Sequence, residues 1–151
     1  MKTLFSSKPA LKAFSLAVLV FSGTAHIAAA SSLNGNLGDA AASTDFYRIT
    51  CSKNANGDTD NLKISLVDTA PVASPMVSVQ VVRGILAKNT TDAVDGDATP
   101  SPIVIVKGGN GVYEVRVNKT AKGVESYKLN YWCLNSAGKA TGTALATAQN
   151  Q

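Results

Sequence analysis

The sequence predicts an all-β protein, an antiparallel β-sandwich of six to nine strands with one disulfide bond. Short stretches in which apolar and polar residues alternate recur from residue 45 onward, as in half-buried strands. Val, Ile and Thr are frequent in these stretches, whereas no segment after residue 30 has a convincing helical period. The two cysteines, Cys51 and Cys133, both fall in the apolar series of their strands, as a bond buried in the core requires.

Residues 1–30 have the features of a secretory signal peptide. A leader with three lysines precedes an apolar run over residues 13–21, and small residues follow at Ala28 and Ala30. The apolar run is about ten residues long, whereas a helix that spans a bilayer needs about 20. We therefore expect cleavage after Ala30 and an exported protein, periplasmic or extracellular, that does not insert into a membrane.

The composition after residue 30 narrows the function classes. Three of the 14 basic residues lie in the leader, which leaves 11 against 10 acidic residues and a net charge near +1. Such a balance gives no basic surface for nucleic acid. The single histidine, His26, also lies in the leader. Because histidine is the usual general base and the usual partner of a Ser or Cys nucleophile, the sequence predicts a non-enzymatic protein.

The first elements follow in chain order. Residues 31–44 mix Gly, Asn, Ser and Ala without a sustained period and are interpreted as a flexible lead-in with at most a short edge strand. The sandwich domain is predicted over residues 45–151, and its first three strands are indicated by "DFYRITC", "LKISLVD" and "MVSVQVVRG". Their inward residues are Tyr47, Ile49 and Cys51, then Leu62, Ile64 and Leu66, then Val77, Val79 and Val81.

The segments "PIVIVK" and "VYEVRVNK" are predicted to pair as a hairpin through "GGNG", residues 108–111. Gly and Asn accept the positive φ angles that tight turns need. In an exported chain we expect Cys51 and Cys133 to be bonded, against the alternative of two buried free thiols. The inward residues of the last two clear strands are Tyr113, Val115 and Val117, then Tyr127, Leu129, Tyr131 and Cys133, with Trp132 turned outward.

The chain resembles the bacterial pre-peptidase C-terminal type of domain, a small jelly-roll sandwich of exported proteins. The likeness is carried by "DFYRITC", by a loop rich in Asp and Gly, and by "GNGVYEVRVNKTAKGVESYKLNYWC", and it covers roughly residues 45–133. It implies an accessory role and, in some members, calcium held by loop carboxylates. The segment "YWCLNSAGKATGTALATA" is also similar to the end of an immunoglobulin-type domain, which implies a turn and a last strand. Jelly-roll and immunoglobulin-like topologies are thus both open.

The loop "TTDAVDGDATPSP" carries three aspartates within six positions, Asp92, Asp95 and Asp97, and "NGDTDN" adds Asp58 and Asp60. Carboxylates are ligands that Ca²⁺ accepts readily. The loop nevertheless lacks the residue order and closing glutamate of an EF-hand, and Asp and Gly are ordinary turn formers. The sequence therefore favours a solvated turn and no cofactor. Weak calcium binding, with the two loops brought together, is the alternative.

Trp132 is the candidate ligand-binding residue, because an outward aromatic ring can stack on a sugar or anchor a partner. The alternative is that the lead-in or the tail covers it. We expect a binding or accessory protein for a surface polymer, a carbohydrate or another exported protein. A structural subunit of a surface layer or filament is the alternative, because the tail "ATGTALATAQNQ" has few charges to protect an edge strand. The sequence leaves the oligomeric state open.

Overall fold

The computed structural model describes residues 31–69, 71–72 and 75–151, and the predicted signal peptide lies outside them. Nine strands and no helix form the regular structure of the described residues, which confirms the predicted all-β class. Within this part of the chain there is accordingly no helix that could span a membrane. The strands are β1 (Ser31–Leu37), β2 (Thr44–Ser52), β3 (Asn61–Asp68), β4 (Val77–Arg83), β5 (Leu86–Thr91), β6 (Val104–Val106), β7 (Gly111–Lys119), β8 (Glu125–Leu134) and β9 (Gly142–Gln149).

The strands form two antiparallel sheets, ordered β1-β8-β3-β6 and β5-β4-β7-β2-β9. Their pairs are nested along the chain, since β1 pairs with β8, β2 with β7, β3 with β6 and β4 with β5. This is the strand order of a jelly roll, with β9 added beside β2. An immunoglobulin-type domain keeps its first two strands in one sheet, whereas β1 and β2 lie in different sheets here. The topology is therefore that of a jelly roll.

The core lies between the two sheets and contains the inward residues that alternation predicts. Tyr47, Tyr113 and Tyr127 are its largest side chains and are almost fully buried. Cys51 on β2 and Cys133 on β8 form the predicted disulfide bond, with their Cα atoms 5.5 Å apart. Because β2 and β8 belong to different sheets, the bond joins the two layers covalently.

The predicted hairpin at residues 108–111 is wrong. β6 pairs with β3 in the four-stranded sheet, whereas β7 pairs with β2 and β4 in the five-stranded sheet. Gly109 and Gly111 do have positive φ angles, 67° and 126°. They turn the chain from one sheet to the other instead of folding it back on itself.

A two-residue hairpin turn lies elsewhere, between β4 and β5. Arg83 pairs with Leu86, so Gly84 and Ile85 form the turn. Gly84 has a φ of 58°, as the first position of a type II′ turn requires. This turn aligns β5, a strand with mostly exposed residues that shows no apolar alternation.

The lead-in begins with a strand of seven residues. β1 forms one edge of the four-stranded sheet and pairs with β8 along its whole length. Leu37 is fully buried and Leu33 packs against the core. Gly35 faces Tyr127, and a Cβ atom at this position would lie 2.3 Å from the tyrosine ring. Packing of Leu33 and Leu37, together with the space that Gly35 leaves for the Tyr127 ring, thus holds the otherwise polar β1 in the sheet.

The connections gather at the two ends of the sandwich. At the disulfide end, β2 and β8 end and β3 begins, while at the opposite end β3 and β5 end and β4 and β8 begin. We name the second one the acidic end. Here Asp45, Asp68, Lys119 and Glu125 occupy inward strand positions, and all four are buried. The apolar core therefore ends in a layer of charged side chains.

Candidate functional sites: an acidic cluster and an outward tryptophan

Three carboxylates of the acidic end lie close together. Asp68 is the last residue of β3, Glu125 is the first residue of β8, and Asp95 lies in the connection between β5 and β6. One carboxylate oxygen from each residue lies within 4.8 Å of the other two. Pairing of β3 with β8 brings Asp68 and Glu125 to the same end of one sheet, and the connection supplies the third group. We refer to these three residues as the acidic cluster.

Two carboxylates of the acidic cluster, those of Asp68 and Glu125, have few hydrogen-bond donors among the described residues. Glu125 is fully buried, and neither of its carboxylate oxygens has a hydrogen-bond partner among the described residues. The same holds for Oδ1 of Asp68, whereas Oδ2 accepts a bond of 3.0 Å from the backbone N–H of Val77. A buried carboxylate without donors is costly unless a proton or a cation neutralises it. The arrangement therefore favours neutralisation of these carboxylates by a proton or by a cation.

The pKa values of Asp68 and Glu125 reflect the same cost of ionisation. Burial raises the pKa of Asp68 to about 7, against the effect of its backbone hydrogen bond. The negative charges of Asp95, Glu125 and Asp92 raise this pKa further. Burial and the charge of Asp95 also raise the pKa of Glu125, and Lys119 opposes that shift. Neighbouring negative charges thus make the ionised forms of Asp68 and Glu125 less favourable.

Lys119, the buried cation of the acidic end, is engaged with the backbone. Its ammonium group donates hydrogen bonds to the carbonyl oxygens of Gly38 and Gly123. These bonds tie the β1–β2 connection to the β7–β8 connection. Among the described residues, no salt bridge joins Lys119 to Glu125. The lysine therefore lowers the local negative potential without occupying the centre of the cluster.

The structure separates the three aspartates of the predicted loop. Asp92 is buried, and its carboxylate accepts hydrogen bonds from the backbone N–H groups of Asp68 at 2.9 Å and Val94 at 3.3 Å. Asp97 accepts one at 2.7 Å from a backbone N–H two residues later, as in an ordinary turn. Of the three, Asp95 alone belongs to the acidic cluster.

Asp58 and Asp60 lie at the disulfide end. Asp58 accepts a hydrogen bond of 2.7 Å from the side chain of Asn110, and Asp60 accepts one of 2.8 Å from the side chain of Asn61. The eight residues of β3 separate this end from the acidic cluster, a distance of about 23 Å at the usual rise of a strand. The two loops therefore do not come together as a combined calcium site requires.

Sequence reasoning considered acids that are neighbours in the chain and so missed Asp68 and Glu125. The alternation of inward and outward residues in β3 and β8 could have identified both residues. Asp68 continues the inward series of Leu62, Ile64 and Leu66, and Glu125 precedes that of Tyr127 and Leu129. An acid at an inward position of an apolar series is unusual, because burial of an unpaired carboxylate is unfavourable.

Trp132 has the predicted outward orientation. It lies half-buried on the outer face of the four-stranded sheet, opposite Lys63, which in turn lies opposite Ile105 on β6. β1 runs beside β8 within the same sheet, and β9 belongs to the other sheet. Neither described segment is therefore layered over the tryptophan.

The rest of this outer face is mostly polar. β1 and β8 contribute hydroxyl and amide groups, including a hydrogen bond of 3.0 Å between Asn36 and Ser126. Beside Ile105, an apolar cleft of about 350 Å³ runs between β5 and β6. The outward residues on the three longer strands are Ser32, Asn34 and Asn36 on β1, Ser126, Lys128, Asn130 and Trp132 on β8, and Lys63, Ser65 and Val67 on β3. Of these, Ser65 and Val67 are buried, so the accessible part of the face lies on β1, on β8 and at Lys63.

No protein-family model matches the chain, and no curated protein matches it either.

Proposed function

We propose that the protein is an exported, non-enzymatic binding module whose ligand surface is the outer face of the four-stranded sheet, and whose ligand is a carbohydrate or another surface polymer. The observation that carries this proposal is the position of Trp132, which is partly exposed within a face of small polar side chains and two lysines. The disulfide bond supports export, because such bonds persist in oxidising compartments.

The chemistry of the face suits a polyhydroxylated chain. The indole ring offers an apolar surface for stacking, and the neighbouring serine and asparagine side chains can donate to and accept from hydroxyl groups. Lys63 and Lys128 add positive charge, and no outward position of β1, β3 or β8 on this face carries a carboxylate. We therefore expect neutral or acidic polymers to be preferred over basic ones.

Two features favour binding over catalysis. Residues 31–151 contain no histidine, so the usual general base is absent. The acidic cluster is closed to a substrate, because Asp68 and Glu125 are fully buried. A pair of carboxylates that acts on a glycosidic bond must instead flank an open cleft.

Screening the purified protein on a glycan array, followed by calorimetric titration of the best ligand, tests the proposal. We expect Trp132→Ala to weaken binding by about tenfold or more, which corresponds to about 1.4 kcal/mol or more. Phe46→Ala is the matched control, since Phe46 lies on the outer face of the other sheet, 5.6 Å from Arg48 and 5.1 Å from Arg116 measured to its ring centroid. Undiminished binding by Trp132→Ala, or equal losses in both variants, would remove the sheet face from the binding site.

A structural subunit is a second candidate, and a specific observation favours it. β1 and β9 are edge strands on the same side of the sandwich, and neither contains a charged residue. Uncharged edges offer unpaired backbone groups to a neighbouring chain, whereas monomeric sandwiches usually protect such edges with charge.

Sedimentation velocity distinguishes the two candidates. A binding module sediments as a monomer or small oligomer, whereas a filament subunit forms large assemblies. In the second case Ala146→Lys, an exposed position of β9 opposite Arg48, should dissolve the assemblies. Ala87→Lys on the β5 edge, which already carries Lys88, is the control and should leave them intact.

A further inference from the structure

We propose that the acidic cluster is a calcium site, in which Asp68, Asp95 and Glu125 hold one Ca²⁺ between the end of β3, the start of β8 and the β5–β6 connection. The site lies at one end of the sandwich, away from the row that contains Trp132. The inference therefore goes beyond the proposed binding function and does not rest on it.

The geometry of the cluster matches the size of calcium. Ca²⁺ binds oxygen at about 2.3 to 2.6 Å, so two oxygens on the same ion lie at most about 5 Å apart. The three oxygens of the acidic cluster all lie within 4.8 Å of one another. Three carboxylates, each binding through one or both oxygens, supply between three and six ligands. No rearrangement of the strands is needed to bring these groups to one ion.

Glu125 provides the independent evidence for a ligand. Its side chain is fully buried, yet both carboxylate oxygens lack a hydrogen-bond partner among the described residues. A glutamate kept for packing or for a structural hydrogen bond would have a donor, as Asp92 has in two backbone N–H groups. The orphaned carboxylate instead faces Asp68 and Asp95, which are acceptors themselves.

The chemistry of the three carboxylates indicates which metal ion would fit the site. An all-carboxylate site suits hard cations and offers no nitrogen or sulfur for zinc or copper. Mg²⁺ prefers shorter bonds in a strict octahedron and keeps several of its water molecules, which the burial of Asp68 and Glu125 disfavours. Calcium tolerates irregular geometry and direct carboxylate coordination. It would also offset a negative charge that Lys119, the buried lysine of the acidic end, does not balance.

This site differs from the calcium site that the sequence left as an alternative. The loop with Asp92, Asp95 and Asp97 lacks ligands when considered alone, and the sequence favoured a solvated turn there. The fold adds Asp68 and Glu125, which lie 57 positions apart in the chain, and it retains Asp95 from the loop.

Calcium titration of protein treated with EDTA tests the inference. At pH 8, where protons compete least for the carboxylates, we expect calorimetry to show one Ca²⁺ per chain. We also expect 1 mM CaCl₂ to raise the melting temperature by about 5 °C through mass action. The same concentration of MgCl₂ should produce a clearly smaller rise.

Matched variants test whether the acidic cluster is the place where Ca²⁺ binds. Glu125→Gln keeps the shape of the side chain and removes its charge, and we expect it to bind Ca²⁺ at least about tenfold more weakly. Asp97→Asn in the same connection and Asp58→Asn at the disulfide end are the controls and should respond like the wild-type protein. The melting temperature of Glu125→Gln in EDTA should equal or exceed that of the wild type, because one repelling charge is gone, and this shows that the variant folds.

Terbium luminescence gives a second readout on the same proteins. Tb³⁺ substitutes for Ca²⁺ in oxygen sites, and Tyr127, which pairs with Asp68 between β3 and β8, is the expected sensitiser. We expect calcium to displace the signal in the wild type and Glu125→Gln to show little signal. Absence of calcium heat and of any melting shift in the wild type at 10 mM CaCl₂, or an unchanged response in Glu125→Gln, would overturn the inference.

Discussion

Removal of the Cys51–Cys133 bond should destabilise the protein by an amount that follows from its position in the chain. The two cysteines are 82 residues apart. A crosslink that closes a loop of this length lowers the conformational entropy of the unfolded chain, which corresponds to about 4.5 kcal/mol at 25 °C. This is a large part of the about 5 to 15 kcal/mol that stabilises a typical domain.

Equilibrium unfolding in urea measures the effect. With an m-value of about 2 kcal/mol/M, a loss of about 4.5 kcal/mol lowers the midpoint of Cys51→Ala/Cys133→Ala by about 2 M. Both cysteines are buried, so the double variant also loses packing contacts. Wild-type protein reduced with dithiothreitol is the matched control, because it keeps both sulfur atoms and lacks only the bond. We expect its midpoint to fall almost as far as that of the variant.

Two results would contradict this explanation of the stability. If the reduced wild type and the double variant both lose less than about 1 kcal/mol, loop closure does not stabilise this sandwich. If the variant alone is destabilised, the sulfur atoms contribute through packing in the core and the covalent link between the sheets does not.

Three further predictions concern the core and the acidic end. Tyr127→Phe removes a buried hydroxyl that donates to Asp45 at 2.5 Å, so we expect a loss of about 1 to 3 kcal/mol in urea unfolding. Tyr131→Phe is its control and should change little, since burial alone raises the pKa of Tyr131 and no hydrogen bond contributes to that shift. Gly35→Ala places a Cβ atom 2.3 Å from the Tyr127 ring, and we expect a lower melting temperature and a loss of about 1 to 3 kcal/mol from overpacking; an unchanged melting temperature would contradict this. The pKa of Asp68 is raised from 3.8 to about 7 in the folded protein, so its contribution to stability is fully present below about pH 4 and is lost as the pH rises through 7. In EDTA the free energy of unfolding should fall over this range by up to about 4 kcal/mol, and a flat profile, or the same slope in Asp68→Asn, would contradict the assignment.

The alternation of side chains was enough to predict the fold class and most of the core. Period-two patterns place Ile49 and Val115 inward in the sequence, and both are fully buried in the structure. Both cysteines follow the same pattern, which is why their bond could be anticipated. Alternation reports which face a residue takes, and this is a local property that a short window contains.

Strand partners could not be predicted in the same way. The glycines of residues 108–111 mark a change of direction, but a turn signal does not specify whether the next strand joins the same sheet. That choice depends on β3 and β2, which are the partners of β6 and β7 and lie far away in the sequence. β5 was missed for a different reason, since its residues are mostly exposed and only Gly84 marks its start.

The acidic cluster could not be predicted from the sequence for the same reason, because its residues are distant in the chain. Asp95 was a candidate from the sequence because two other aspartates lie beside it, yet its partners in space are Asp68 and Glu125. Only strand pairing brings these two residues to one end of the sandwich. The local pattern identified one residue of the cluster, and the topology supplies the other two.

The nested strand order also determines how the chain can fold. Arg83 and Leu86, in the innermost pair of strands, are three positions apart, whereas Leu33 and Leu129, in the outermost pair, are 96 positions apart. Entropy of loop closure makes the short connection form first, and folds rich in distant pairings reach the native state in milliseconds to seconds. We expect pulsed hydrogen exchange to show early protection in β4 and β5 and late protection in β1. The pairing thus predicts assembly from the middle strands outward, in which β1, although it precedes every other described strand in the chain, has no partner until β8 has paired with β3.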